Sequence, residues 1–202
     1  MRKKEIDSFF KTLDEELGQP AEVILTGAAA GSILGNVRPS MDIDFQMKLR
    51  GQPTQNISFL PDDAVKRTVE KTGIAVNFSD SLDRWSMIGL LDYEKKALPY
   101  KKIGRLEIRI LSPDYWTLGK MGRFYEIDIQ DIIVIIKKHR LSADHLTALW
   151  ARALRASGPS LARKDFYDHV IYFLNKYGKK IWGGDFNTDA AAKGFEKAVR
   201  IG

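Results

Sequence analysis

The amino-acid sequence predicts an α/β (α+β) fold: a small mixed sheet with flanking helices, followed by a helical C-terminal part. Three observations carry this. Residues 23–49, VILTGAAAGSILGNVRPSMDIDFQMKL, read as strand, tight turn, short helix, turn and strand. Two further apolar or alternating runs, 74–78 and 106–111, have the length and pattern of strands. From Ser112 to the C-terminus the apolar residues recur at helical spacing instead. The expected division is therefore residues 1–112 as the α/β domain and 113–202 as a helical domain that packs on it and closes one side of a cleft.

Composition bounds the function classes. A chain of 202 residues with 44% hydrophobic content can bury one good core with a helical annex. Charged residues make up 29%, which excludes a fibrous or disordered chain. Cysteine is absent, so disulfide scaffolds and thiol chemistry are excluded, as suits a reducing cytoplasm. The longest apolar run, Ile132–Ile136, is far short of the ~20 residues of a membrane helix. The start, MRKKEIDSFF, meets Glu5 and Asp7 before any apolar run, so no signal peptide is expected. The formal net charge of +6 favours a polyanionic partner.

Taken in order, Ile6, Phe9, Phe10, Leu13 and Leu17 give an amphipathic helix over 3–17, stopped at Gly18 and Pro20. Next comes the apolar strand Val23, Ile24, Leu25, and Gly27 opens a helix of small residues, Ala28, Ala29, Ala30 and Gly31. Small residues let a ligand approach the backbone, and the free N–H groups at a helix start favour an anion, phosphate above all. The strand after it carries Asp42 and Asp44. Side chains at i and i+2 of a strand point the same way, so the two carboxylates project together while Ile43 and Phe45 face the core. Such a pair repels itself unless a cation intervenes, and hard carboxylate oxygens suit Mg²⁺ or Mn²⁺ rather than zinc. Arg38, in the turn before that strand, either contacts a phosphate or holds Asp42 by ion pairing.

Residues 50–60 read as a loop and 61–71 as a helix, with Pro61, Asp62 and Asp63 suited to its positive end. Gly73 ends it. In 80–88, Trp85 either packs on the sheet, the reading favoured here, or offers a stacking surface to a base; Asp83 pairs with Arg84 or caps a turn. Residues 90–112 read as a hairpin turning at Gly104. Its lysines and arginines (Lys95, Lys96, Lys101, Lys102, Arg105, Arg109) either face a polyanion or protect an edge strand. Ser112-Pro113-Asp114 signals a helix start, with Ser112 as the capping hydroxyl. Lys120 and Arg123 share a helix face, as do Asp128 and Asp131, whose expected role is either to sit at the N-terminal end of the buried helix or to hold the two cations by ion pairs. Further helices are expected over 142–156, 160–177 and 188–200. His139, His145 and His169 lack metal spacing and receive no chemistry.

Gly27, the short helix, and the run Arg38-Pro39-Ser40-Met41-Asp42-Ile43-Asp44 resemble the nucleotidyltransferase superfamily, which shares the DNA polymerase beta-like fold. More narrowly, the chain looks like bacterial minimal nucleotidyltransferases and abortive-infection type nucleotidyltransferase toxins, over roughly residues 20–135. The resemblance implies transfer of a nucleoside monophosphate from an NTP to a hydroxyl acceptor. Asp42 and Asp44 would be catalytic and would hold Mg²⁺ or Mn²⁺. Gly27, Ala28, Arg38, Ser40 and Arg123 would bind the nucleotide, and Lys120 would neutralise its phosphates. The toxin resemblance implies an RNA acceptor such as the end of a tRNA, and an antitoxin protein as partner. Two positions depart from the pattern. Ala28 stands where the family has serine, and Asn77 stands where a third metal carboxylate is expected, leaving Asp80 or Glu107 as substitutes. These departures favour the alternative, a catalytically silent module of the same fold that binds nucleic acid or a partner protein. A further alternative is an ordinary structural domain with Asp42 and Asp44 at an exposed strand end.

Overall fold

A computed structural model describes residues 1–35, 38–39, 41–51, 60–84 and 86–200. The elements in chain order are α1 (Lys3–Leu17), β1 (Ala21–Thr26), α2 (Gly27–Gly35), β2 (Asp42–Leu49), α3 (Leu60–Thr72), β3 (Ala75–Ser79), a 3-10 turn (Leu82–Arg84), α4 (Tyr93–Lys96), β4 (Leu98–Ile103) and β5 (Leu106–Ile110). Then follow α5 (Pro113–Arg123), α6 (Glu126–His139), α7 (Ala143–Ala156), α8 (Leu161–Trp182) and α9 (Thr188–Arg200). The chain is thus mixed α/β, as its patterning predicts. It divides into two compact units, one of residues 1–82 with 94–112, the other of residues 83–93 with 113–202. The second unit therefore takes an excursion, 83–93, from within the stretch expected to belong to the first.

The first unit is built on a five-stranded mixed sheet of order β3-β2-β1-β5-β4. β1 runs antiparallel to β2 and parallel to β5, and β3 runs parallel to β2. Alternation along β2 buries Ile43, Phe45 and Met47 on one face. There Phe45 meets Phe10 edge-on at 5.4 Å and stacks on Phe78 at 5.8 Å, and Phe9 closes the cluster. Helix α1 supplies Ile6, Phe9, Phe10, Leu13 and Leu17 to this core and packs against α3. It ends where Gly18 adopts φ 65°, a left-handed turn open to glycine.

The second unit is helical. Leu146, Trp150 and Leu154 of α7 and Phe166, Phe173 and Leu174 of α8 are buried, with Trp150 edge-on to Phe173 at 5.9 Å. Ser142 and Ser160 cap α7 and α8 by accepting from His145 N and Arg163 N. α5 starts at Pro113 as expected, but Ser112 is not its cap. Among the described residues the buried Ser112 hydroxyl has no hydrogen-bond partner, while the Asp114 carboxylate accepts from Tyr115 N at 3.0 Å. Among the described residues no helix is long and apolar enough to cross a membrane.

Candidate functional site

The face of β2 opposite the core carries Asp42, Asp44, Gln46 and Lys48. Register places Thr26 of β1 and Asn77 of β3 on either side of Asp44, and Gln46 beside Ser79. The two aspartates expected from the sequence thus lie together on the polar face of the sheet. Asn77 bridges them: its Nδ2 donates to Asp44 Oδ1 at 2.9 Å and to Asp42 Oδ2 at 3.3 Å.

Gly27 follows Thr26 at the end of β1 and begins α2 with φ +62°. A Cβ at this position would stand 1.8 Å from Asp44 Oδ2, so the backbone of Gly27 and the Asp44 carboxylate occupy adjoining space that any side chain would fill. Glycine is required here by both conformation and contact. The arrangement also sets a negative charge at the positive end of a helix. Ala28 is the next residue of α2 and is partly exposed, while Ala29, Ala30 and Gly31 are buried. Arg38 is half-buried in the segment leading to β2. Ser40 and Trp85 lie outside the described residues.

The expected third carboxylate is not brought to the pair. Asn77 takes the level of Asp44, and β3 ends at Ser79. Asp80 is exposed beyond that end, accepting from Ser79 Oγ at 3.3 Å. It is three residues past Asn77, roughly 10 Å along a strand and an odd number of steps off the face. Glu107 registers with Glu22, and Glu22 with Lys48, so it sits two strands across and four residues along from Asp44. There it is paired with Arg50. Glu22 in turn accepts from Arg109 at 2.8 Å and Arg50 at 3.3 Å. Arg109 foremost, with Arg50, holds the Glu22 carboxyl below its ordinary value against the opposing effect of burial. Among the described residues no three histidine, aspartate or glutamate side chains gather to hold a metal ion. The two carboxylates are nonetheless hard oxygen ligands that suit Mg²⁺ or Mn²⁺, which bind through one or two carboxylates plus phosphates and water.

Gln46 is a polar residue of this face that the sequence reading passed over. It is 2% exposed; its Nε2 donates to Glu94 Oε1 at 2.9 Å and its Oε1 accepts from Leu82 N at 3.3 Å. Glu94 also pairs with Lys48. The available signal was position alone, since Gln46 continues the i, i+2 series of Asp42 and Asp44.

In the second unit, Lys120, Arg123, Asp128 and Asp131 come together across α5 and α6. Lys120 is 3% exposed, and its Nζ lies 2.7 Å from Asp128 Oδ1 and 2.9 Å from Asp131 Oδ2, over the ring of Trp116 at 5.0 Å. Arg123, half-exposed, reaches Asp128 Oδ1 at 2.9 Å. The ion pairs expected of the two aspartates are therefore present. The second oxygen of Asp128, Oδ2, is buried and has no hydrogen-bond partner among the described residues. Comparison with family models finds no match to this chain, and neither do comparisons with curated proteins and with solved structures.

Proposed function

We propose that the chain is a metal-dependent nucleotidyltransferase that moves a nucleoside monophosphate from an NTP to a hydroxyl acceptor, with loss of pyrophosphate. The observation that carries this reading is the packing of the Asp44 carboxylate against Gly27, beside Asp42, at the start of α2. It joins a carboxylate pair to a helix start that favours anions, the two parts that phosphoryl chemistry needs. Mg²⁺ or Mn²⁺, when bound, would neutralise the triphosphate and stabilise charge developing at the α-phosphorus. Asp42 and Asp44 would hold that cation. The amides that follow Gly27, from Ala28 onward, would donate to the outer phosphates, and Arg38, in the segment before β2, would neutralise them. The reading rests on the first unit; Lys120, Arg123 and Ser40 enter it through the family resemblance alone. The +6 charge suits a polyanionic acceptor such as RNA, a tRNA end in the toxin-like form, with an antitoxin protein as partner in a bacterial cytoplasm.

A labelling assay tests it. Purified protein is incubated with each α-labelled NTP, Mg²⁺ or Mn²⁺, and total cellular RNA, beside an Asp42→Ala/Asp44→Ala double variant. Label is expected in RNA or in the protein itself with the wild type and not with the variant. No label from any NTP retires the enzyme. A second reading, a silent module of the same fold, is favoured by the neutral bridge that Asn77 makes between the carboxylates. It predicts no transfer and no rise in melting temperature with NTP and Mg²⁺, whereas a ligand that binds the folded state must raise it.

A further inference from the structure

We propose that Asn77 is the third, neutral ligand of the cation at Asp42 and Asp44, and that its amide clamps the two carboxylates together when the cation is absent. This rests on the reading that the pair holds a divalent ion. Two carboxylates side by side on one strand repel each other, and a site that keeps both ionised needs positive charge or donors between them. Asn77 supplies donors. Its NH₂ group has two hydrogens and reaches both carboxylates, at 2.9 and 3.3 Å. An ionised carboxylate only accepts, so the nitrogen rather than the oxygen of the amide must face the pair.

The same side chain can serve the opposite need. Asn77 is exposed at the outer strand of the sheet, and its side chain makes no other hydrogen bond among the described residues. Half a turn about its terminal torsion exchanges Nδ2 for Oδ1 without moving β3. That places a carbonyl oxygen, a good ligand for Mg²⁺ or Mn²⁺, where the N–H donors were. The site then presents two negative charges instead of the three that a carboxylate at this position would give. A free cation is attracted less strongly, and the phosphates of the nucleotide make up the missing charge. Cation and nucleotide accordingly bind as one unit, each raising the affinity for the other.

The test is direct binding of Mn²⁺ to the full chain, by calorimetry or loss of the free-ion EPR signal, together with thermal unfolding in a chelator. Wild type, Asn77→Ala, Asn77→Asp and Asp42→Ala are compared. Asn77→Ala is expected to bind Mn²⁺ several-fold more weakly and to melt a few degrees lower in chelator. Asn77→Asp is expected to bind at least tenfold more tightly and also to melt lower without metal. In the wild type, the Asn77 side-chain NH₂ resonances, identified by their loss in Asn77→Asp, are expected to shift on adding Mg²⁺. Wild-type binding that Asp42→Ala abolishes but Asn77→Ala leaves unchanged overturns the role of Asn77 while keeping the carboxylate site. Chelator melts of Asn77→Ala equal to wild type, or NH₂ resonances unmoved by Mg²⁺, likewise overturn it. No Mn²⁺ binding by wild type or by Asn77→Asp overturns the cation site itself.

Discussion

Lys120 lies between two carboxylates and over an indole ring, almost wholly out of water. Removing one member of a buried ion pair leaves uncompensated charge and costs about 3–5 kcal/mol. Lys120→Met should therefore lower the stability to urea by that amount, read as a shift in unfolding midpoint. Adding Asp128→Asn should recover part of the loss, because it removes one of the two buried charges that Lys120 offsets. This cluster was legible in the sequence: charged residues three apart on helices announce a shared face. The position of Asn77 was marked by the family resemblance, but its bridge between the two aspartates, and Gln46 altogether, were harder to see. Neutral amides leave no trace in a charge pattern, and their partners, Asp42, Asp44 and Glu94, come from strand register and a distant helix. Ser112 shows the converse. Its place before a proline looks like a cap, yet it is Asp114, two residues on, that accepts from the Tyr115 amide.

At the level of elements, the alternation that predicts β2 and the small-residue start of α2 was plain, because period two and glycine are local signals. The segment 83–93 was not. Its order comes from a contact within the segment and from polar contacts with residues far along the chain. Leu90 N donates to Asp83, Gly89 N to Ser157, and Asp92 accepts from the Tyr115 hydroxyl at 2.5 Å and from Arg152 at 3.2 Å. Arg152 also donates to the Tyr115 oxygen at 2.6 Å. Burial, aided by Asp92, pushes the Tyr115 hydroxyl up to about 12 from its ordinary 10.0. The folded chain therefore keeps a proton that the unfolded chain releases. Its stabilising effect is complete below pH 10 and is lost as pH rises through about 12. Tyr115→Phe should flatten this alkaline fall in a series of urea melts, and should cost about 1–2 kcal/mol at neutral pH through the lost hydrogen bonds.

For the molecule as a whole, the switch from strand to helix patterning after Ser112 was readable, and the division into two units falls there except for 83–93. That exception carries a prediction. A fragment of 113–202 lacks Asp92, which pairs with Tyr115 and Arg152, and Gly89, which donates to Ser157. The same fragment with residues 83–93 joined ahead of it by a flexible linker should melt several degrees higher by circular dichroism. Equal melting would mean that the excursion contributes nothing to the helical unit. Strand order was beyond the sequence, because nothing local tells β1 that its parallel neighbour is β5.

That pairing has a consequence during synthesis. Ile24 of the central strand finds Arg109 only after about 85 further residues have been made. At ribosomal rates of about 5–20 residues per second, β1 waits roughly 4–17 seconds with one edge bare. Residues 83–93 emerge before the sheet can close and before their own partners exist. The nascent chain thus spends its most vulnerable interval with both units incomplete, and a chaperone that shields strand edges would act in that window.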